Sequence, residues 1–269
     1  MKIGIISLGL IGGSLLKRLS KTDIELFAVT RNPQTIENAK KYTNNVSDDM
    51  NTLKNCDVVF VCSPMNKTIE ILQKLEQILP EQSLVTDVCS LKKFVTQKQY
   101  KFKFIGSHPM AGTENSGFEA SFEDLFEDAK WIITPDESTD PSDIEKLKNI
   151  ISLTGAKPLI MNADEHDEAA ALISHMPMLI AQALMKTALK NENALKMASS
   201  GFRDMTRLAL SNTEMAKDMI EMNSENISNC TIDLMETVKS LLNSSYEEQI
   251  KVIKNFRKDM YSKNGKNIL

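Results

Sequence analysis

The feature that most constrains this chain lies at its start, where the β-branched run KIGIIS (residues 2–7) is followed at once by Gly9, Gly12 and Gly13 and then by a helical pattern. Further short apolar runs, IELFAVT, DVVFVCS, SLVTDV, KFIGSH and WIIT, alternate with segments of helical spacing such as residues 66–79. Strands that recur with helix-length segments between them predict βαβ units and a parallel sheet.

From Asp164 onward the strand pattern stops. Ala169, Leu172, Ile173, Met176, Leu179, Ile180 and Ala183 recur at spacings of three and four, which predicts one apolar helical face. Asn162 or Asp164 can cap the start of that helix, with Glu165 at the capping-box distance from Asn162. Two later stripes, Ile227, Cys230, Leu234, Val238 and Leu241, then Tyr246, Ile250, Ile253 and Met260, split near Asn243 and Ser244. The expected architecture is α/β: a Rossmann-type parallel-sheet domain over residues 1–162 and an all-helical dimerisation domain over 163–269. About a hundred residues of helix is a thin basis for an independent core, so two copies are expected to pack as a homodimer. The last residues, SKNGKNIL, read as a frayed tail.

Composition narrows the function classes. With 42% apolar and 25% charged residues, the chain can bury a core. Its net charge is only −4, and its Lys and Arg do not cluster with aromatics, so nucleic-acid binding is not expected. No window is judged to approach a membrane-spanning run and no cleavage site follows Lys2, so a cytoplasmic location is expected. Cys56, Cys62, Cys89 and Cys230 show no CxxC pairing and read as reduced, structural thiols. The three histidines, His108, His166 and His175, lack zinc-motif partners, and no metal is expected.

The glycine turn carries the first chemistry. Gly9 would let the backbone approach a pyrophosphate and Gly12 would let the following helix pack against the sheet, its N-terminus toward the anion. Leu10 and Ile11 between them, and Ser63 after the DVVFVC run, are assigned to the same cofactor site. Ser7 stands where the fingerprint wants its first glycine. At the end of the second strand, where an NAD site normally offers a carboxylate, the sequence has Thr30 and Arg31. A guanidinium and a hydroxyl favour a 2′-phosphate, hence NADP, with NAD as the alternative if Arg31 only lies flat on the adenine.

Two further segments end strands where open parallel sheets bind ligands: residues 87–92, DVCSLK, and residues 106–117, GSHPMAGTENSG. They can bring Ser90 and His108 together over the crevice as a group that orients and a group that accepts a proton. His175 precedes Pro177, whose missing N–H kinks the helix and can turn the ring into the cleft; the competing reading is a satisfied core histidine.

Through LGLIGGS, residues 87–92, GSHPMAGTENSGFEA, DEHDEAAALISHMP and GFRDMTRLA, the chain resembles the prephenate and arogenate dehydrogenases from residue 1 to at least residue 223. The resemblance implies NAD(P)-dependent oxidative decarboxylation in tyrosine biosynthesis. His108 would take the ring-hydroxyl proton and Ser90 would hold the imidazole. Arg207 would bind a substrate carboxylate, His175 would belong to the substrate cleft, and Thr113 and Glu114 would line it. His166 is read as a helix-start residue without chemistry. The chain departs from the family at Ser7 and at Ala216, where many relatives carry Trp. With no appended module recognised, feedback control would act through the active site. The rival readings are a different two-domain reductase and a nucleotide sensor without turnover.

Overall fold

The computed structural model describes residues 1–113, 115–243 and 246–261. The first domain runs β1 (Lys2–Ile6), α1 (Leu10–Leu19), β2 (Glu25–Val29), α2 (Pro33–Ala39), β3 (Asn45–Ser47), β4 (Val58–Val61), α3 (Met65–Leu75), β5 (Leu84–Asp87), α4 (Lys93–Thr96) and β6 (Lys103–Phe104). Its sheet has the order β3-β2-β1-β4-β5-β6, parallel at every pairing. Strand periodicity assigns the layers: Ile3, Ile5, Val58 and Phe60 pack on α1 through Leu15, Leu16 and Leu19. Ile6, Val59, Val61 and Val85 face the other way, against Leu72 and Leu75 of α3. With both faces covered, the strands read as continuous apolar runs.

The chain then leaves this sheet. β7 (Gly106–Pro109), β8 (Lys130–Thr134) and β9 (Lys157–Ile160) form a second sheet, with α5 (Pro141–Leu153) between β8 and β9. β7 pairs antiparallel with β8, and β8 parallel with β9. KFIGSH is therefore two strands in two sheets, a correction to the single parallel strand expected. Ile105, the residue between them, is buried like Gly106 after it, so periodicity alone does not reveal the break. β3 and β9 were not singled out in the sequence: one has only three residues, and the other is mostly exposed.

Helices follow β9: α6 (Ala163–Ala170), α7 (Met176–Ala188), α8 (Glu192–Lys196), α9 (Ser200–Thr206), α10 (Thr213–Met222), α11 (Ser224–Asn243) and α12 (Tyr246–Tyr261). Of the two candidate caps, Asn162 does the work: its side chain accepts the Asp164 N–H at 2.8 Å. A π-turn, Ala171–His175, joins α6 to α7 just before Pro177. The predicted apolar face is corrected in part: Met176 is buried with Leu179 and Ile180 packed beside it, but Leu172 and Ile173 are exposed, while His166, Asp167, Ala170, Ala171 and His175 point inward.

By length and composition the continuous run Ala163–Ala188 is apolar enough to cross a membrane, contrary to the expectation that no window comes near it. Its inward face buries two imidazoles and a carboxylate inside the protein. Ala216, at the second departure from the family pattern, is buried with Met65, Cys89, Leu91, Met178 and Met219, where α10 meets the sheet domain. The four cysteines are free, and burial pushes the Cys56 thiol up to about 12 and those of Cys62 and Cys89 higher still.

Candidate active site

At the C-terminal end of β1, α1 starts with Gly9 at its N-cap and no side chain capping its first-turn N–H groups, Leu10 and Ile11 included. A Cβ on Gly9 would meet nothing within 4 Å, whereas one on Gly12 would lie 2.3 Å from the Ser7 carbonyl oxygen. Gly12 is thus what lets α1 close onto the turn, and Gly9 leaves open space over free N–H donors, which fits a pyrophosphate. Ser7 has φ 70°, the left-handed region, which explains why the fingerprint wants glycine there. Beyond β2, a cavity of about 370 Å³ is lined by Leu8, Thr30, Asn32, Gln34 and Glu119, among others. Arg31 is exposed between Thr30 and Asn32. Glu119, not singled out in the sequence, comes from a distant loop and accepts from Asn38 Nδ2 at 2.6 Å. Ser63 is buried at the end of β4 with its hydroxyl 2.9 Å from Thr68 Oγ1.

His108 lies on β7, opposite Ile132. Its Nδ1 is 2.9 Å from His166 Nε2, and His166 Nδ1 is 2.8 Å from Asp167 Oδ1. The Asp167 carboxylate also accepts the backbone N–H groups of Lys92 (2.8 Å) and Lys93 (3.0 Å), which open α4. His166, read from the sequence as a helix-start residue, is therefore the direct partner of His108, and this corrects that reading. Ser90, expected to hold the imidazole, makes no hydrogen bond among the described residues; its half-buried hydroxyl is free at the end of β5. Burial, with the nearby charges of His166, Lys92 and His175, lowers the His108 pKa well below the usual imidazole value.

Behind His108 stands a fully buried ion pair, Asp87–Lys92. Asp87 also accepts the N–H groups of Cys89 (2.9 Å) and Ser107 (3.1 Å), and Lys92 Nζ donates to the Ser107 carbonyl at 2.6 Å. The Ser107 hydroxyl takes bonds from Thr86 Oγ1 and Trp131 Nε1, each at 3.0 Å, and donates to the Asp87 carbonyl. Ser107, the residue before His108, is thereby fixed from every side.

His175 is fully buried. Asn223 Nδ2 donates to its Nδ1 at 3.2 Å and to the Asp167 carbonyl at 2.9 Å, while Asn223 Oδ1 accepts from Asn226. That leaves the proton of the neutral ring on Nε2, a buried donor with no partner. Burial, the largest influence, lowers the His175 pKa to about 4. Arg207 is exposed after α9 and has no ion-pair partner among the described residues. Thr113 is exposed and accepts the Asn115 N–H at 3.2 Å. Glu114 lies outside the described residues.

Comparison with known proteins gives this arrangement a lineage. The model of the prephenate dehydrogenase nucleotide-binding domain matches residues 14–160, and that of the prephenate dehydrogenase dimerization domain matches residues 162–259. The chain belongs to the prephenate dehydrogenase family. It is 32% identical to the Bacillus subtilis prephenate dehydrogenase over 237 residues, 82% of this chain and 63% of that protein, so it spans rather less than two thirds of that relative. Among solved structures, Aquifex aeolicus prephenate dehydrogenase in complex with hydroxyphenyl propionate and NAD+ superposes with a TM-score of 0.87 at 30% identity, covering 97% of this chain and 98% of that one. Synechocystis arogenate dehydrogenase gives 0.81 at 30% identity, with 97% of each chain covered.

Within this family the surroundings of Ala216 become legible. The methyl fills a packed seam between the domains, so a Trp there would require Met65, Leu91 and Met219 to move. His166 and Asp167 lie inside DEHDEAAALISHMP, one of the segments that carried the resemblance. Helix capping already accounted for polar residues at that point, and nothing local marked them as facing inward.

Proposed function

We propose that this chain oxidatively decarboxylates prephenate, or its amino counterpart arogenate, with a nicotinamide cofactor, acting in the cytoplasm on the route to tyrosine. The observation that carries the reading is His108: an imidazole kept neutral by burial, at the carboxyl end of the sheets, in a chain whose α1 N-terminus is free for a pyrophosphate. A bound oxidised nicotinamide supplies the hydride acceptor. His108, through the ring nitrogen not bonded to His166, takes the proton of the ring hydroxyl as the hydride leaves the carbon bearing it. The ring carboxylate departs as CO2, and its bonding pair passes through the ring to that oxygen, which recovers its proton from His108. No net proton is consumed, and aromatisation supplies the driving force. General-base help of this kind is worth about 10²–10⁴ in rate.

Ser90 offers its free hydroxyl to substrate or nicotinamide. Arg207 pairs with a substrate carboxylate, and the buried Nε2–H of His175 donates to a substrate oxygen, which removes the cost of leaving that donor unpaired. Thr113, exposed on the loop after β7, borders the entrance. For the cofactor, Thr30 and Arg31 favour NADP, since the end of β2 carries no carboxylate to repel a 2′-phosphate. Glu119, a carboxylate lining the same cavity, favours the second reading, NAD.

The active unit is a homodimer formed through the helical domain. Leu189, Met197, Leu210, Ile232 and Leu242 are exposed, Met197 at 82% and Leu242 at 79%, and α12 buries no residue of its own. A monomer mass by light scattering at micromolar concentration would remove this assembly.

The deciding experiment follows reduced-cofactor absorbance with prephenate and arogenate, each with NAD and with NADP, alongside His108→Asn as control. Turnover that His108→Asn abolishes, without loss of cofactor affinity, is expected. Silence in all four mixtures with cofactor binding intact would point to a nucleotide sensor or a different reductase.

A further inference from the structure

The polarity of the hydrogen bonds around His108 can be followed atom by atom, starting from Asp167. Its two carboxylate oxygens receive three donors: Oδ1 takes the Lys92 N–H and the His166 ring, and Oδ2 takes the Lys93 N–H. A carboxylate is an acceptor, so the proton on His166 sits on Nδ1. In the neutral ring Nε2 then carries a lone pair, and across 2.9 Å it can only accept. His108 must donate from Nδ1, and its lone pair is left on Nε2. We propose that Asp167, acting through His166, is a positioning residue that fixes His108 in the one tautomer able to take a proton from substrate.

The inference rests on the reading of His108 as the base, and it adds what makes that nitrogen a base. Both intermediaries are buried, which excludes water as a competing partner: His166 is 2% exposed and Asp167 5%. Reversing the first link reverses the chain. An amide at position 167 cannot serve all three donors. With its NH2 toward His166 it forces that ring to accept on Nδ1, to donate from Nε2, and to leave His108 with its proton on Nε2, facing substrate. With its oxygen toward His166, its NH2 confronts the Lys93 N–H. When His108 does gain the substrate proton, the same chain places a carboxylate two bonds behind the new imidazolium.

The test compares the full-length wild type with Asp167→Asn and with His166→Phe, which keeps the ring volume and leaves the bonds of Asp167 to Lys92 and Lys93 in place. With only three histidines in the chain, the imidazole nitrogen spectrum of ¹⁵N-labelled protein resolves each ring, and His108→Asn assigns its own signals. The wild type is expected to show His108 protonated on Nδ1 and bare on Nε2 without any substrate present. Asp167→Asn should reverse that pattern. Both variants should lower kcat on the order of 10²–10⁴-fold, as expected when a base is held in the wrong tautomer or unsupported. Substrate KM and cofactor Kd should stay within about twofold, the mark of an interaction used only in the transition state. His108 bearing its proton on Nε2 in the wild type would overturn the proposal, as would either variant keeping kcat within about threefold of wild type. An active His108→Asn would instead overturn the base assignment itself, so the two failures are distinct.

Discussion

Replacing Lys92 with Met tests the energetics beneath the active site. Lys92 and Asp87 are fully buried, and their pairing supplies the counter-charge that Asp87 needs in a dry interior. Without Lys92, Asp87 keeps only neutral donors, among them the N–H groups of Cys89 and Ser107, and the Ser107 carbonyl loses its 2.6 Å donor. Breaking a buried pair from one side strands the other charge and costs about 3–5 kcal/mol. In a chain of this size that amounts to roughly 10 °C in Tm and a third or more of typical total stability. The companion is Asp87→Asn with Lys92→Met, which removes both charges while keeping shape. Removing both should recover at least about 2 kcal/mol of the loss, as a coupling energy in the double-mutant cycle. Urea unfolding followed by circular dichroism measures all four proteins. A single Lys92→Met variant within about 1 kcal/mol of wild type would refute the reasoning, because the pair would then contribute no more than an exposed one.

Three further outcomes follow from the geometry. Ser7→Gly should stabilise by about 1 kcal/mol, since relief of left-handed strain exceeds the added freedom of the unfolded chain; an unchanged denaturant midpoint would contradict this. Arg207→Ala should raise substrate KM about 10–100-fold with kcat nearly kept, as steady-state kinetics would show, the range expected for one charge-assisted bond. His175 titrates near 4 when folded, because of burial, and near 6.5 when unfolded, so the unfolded chain binds the extra proton between these values. Stability should therefore be full above pH 6.5 and fall by up to about 3 kcal/mol as pH drops toward 4; unfolding curves for His175→Phe should be flatter there, and equal slopes would count against the assignment.

What the sequence disclosed follows from how local its signals are. The strand KIGIIS, the glycine turn and the cap at Asn162 are written in neighbouring residues and were legible, whereas the layer each isoleucine faces was not assigned. The face of α6 and α7 was not. Leu172 and Ile173 look like core by composition, yet they are exposed, while the inward face carries alanines and imidazoles beside Met176. His166 escaped notice because its partner is 58 residues away, on a strand of the second sheet. A still longer separation hid Glu119, which reaches the cavity beyond β2 from 81 residues after Asn38. The left-handed backbone at Ser7 was foreshadowed only as a missing glycine.

Asp167 ties the two domains together through the N–H groups of Lys92 and Lys93. Asp167 and His166 belong to the helical domain, while Lys92, Lys93 and His108 belong to the sheet domain, so the catalytic tautomer exists only while the two halves are docked. A swing of the helices away from the sheet would break the Asp167 contacts and the bridge between the imidazoles in one motion. His108 would then lose the partner that sets the position of its ring proton.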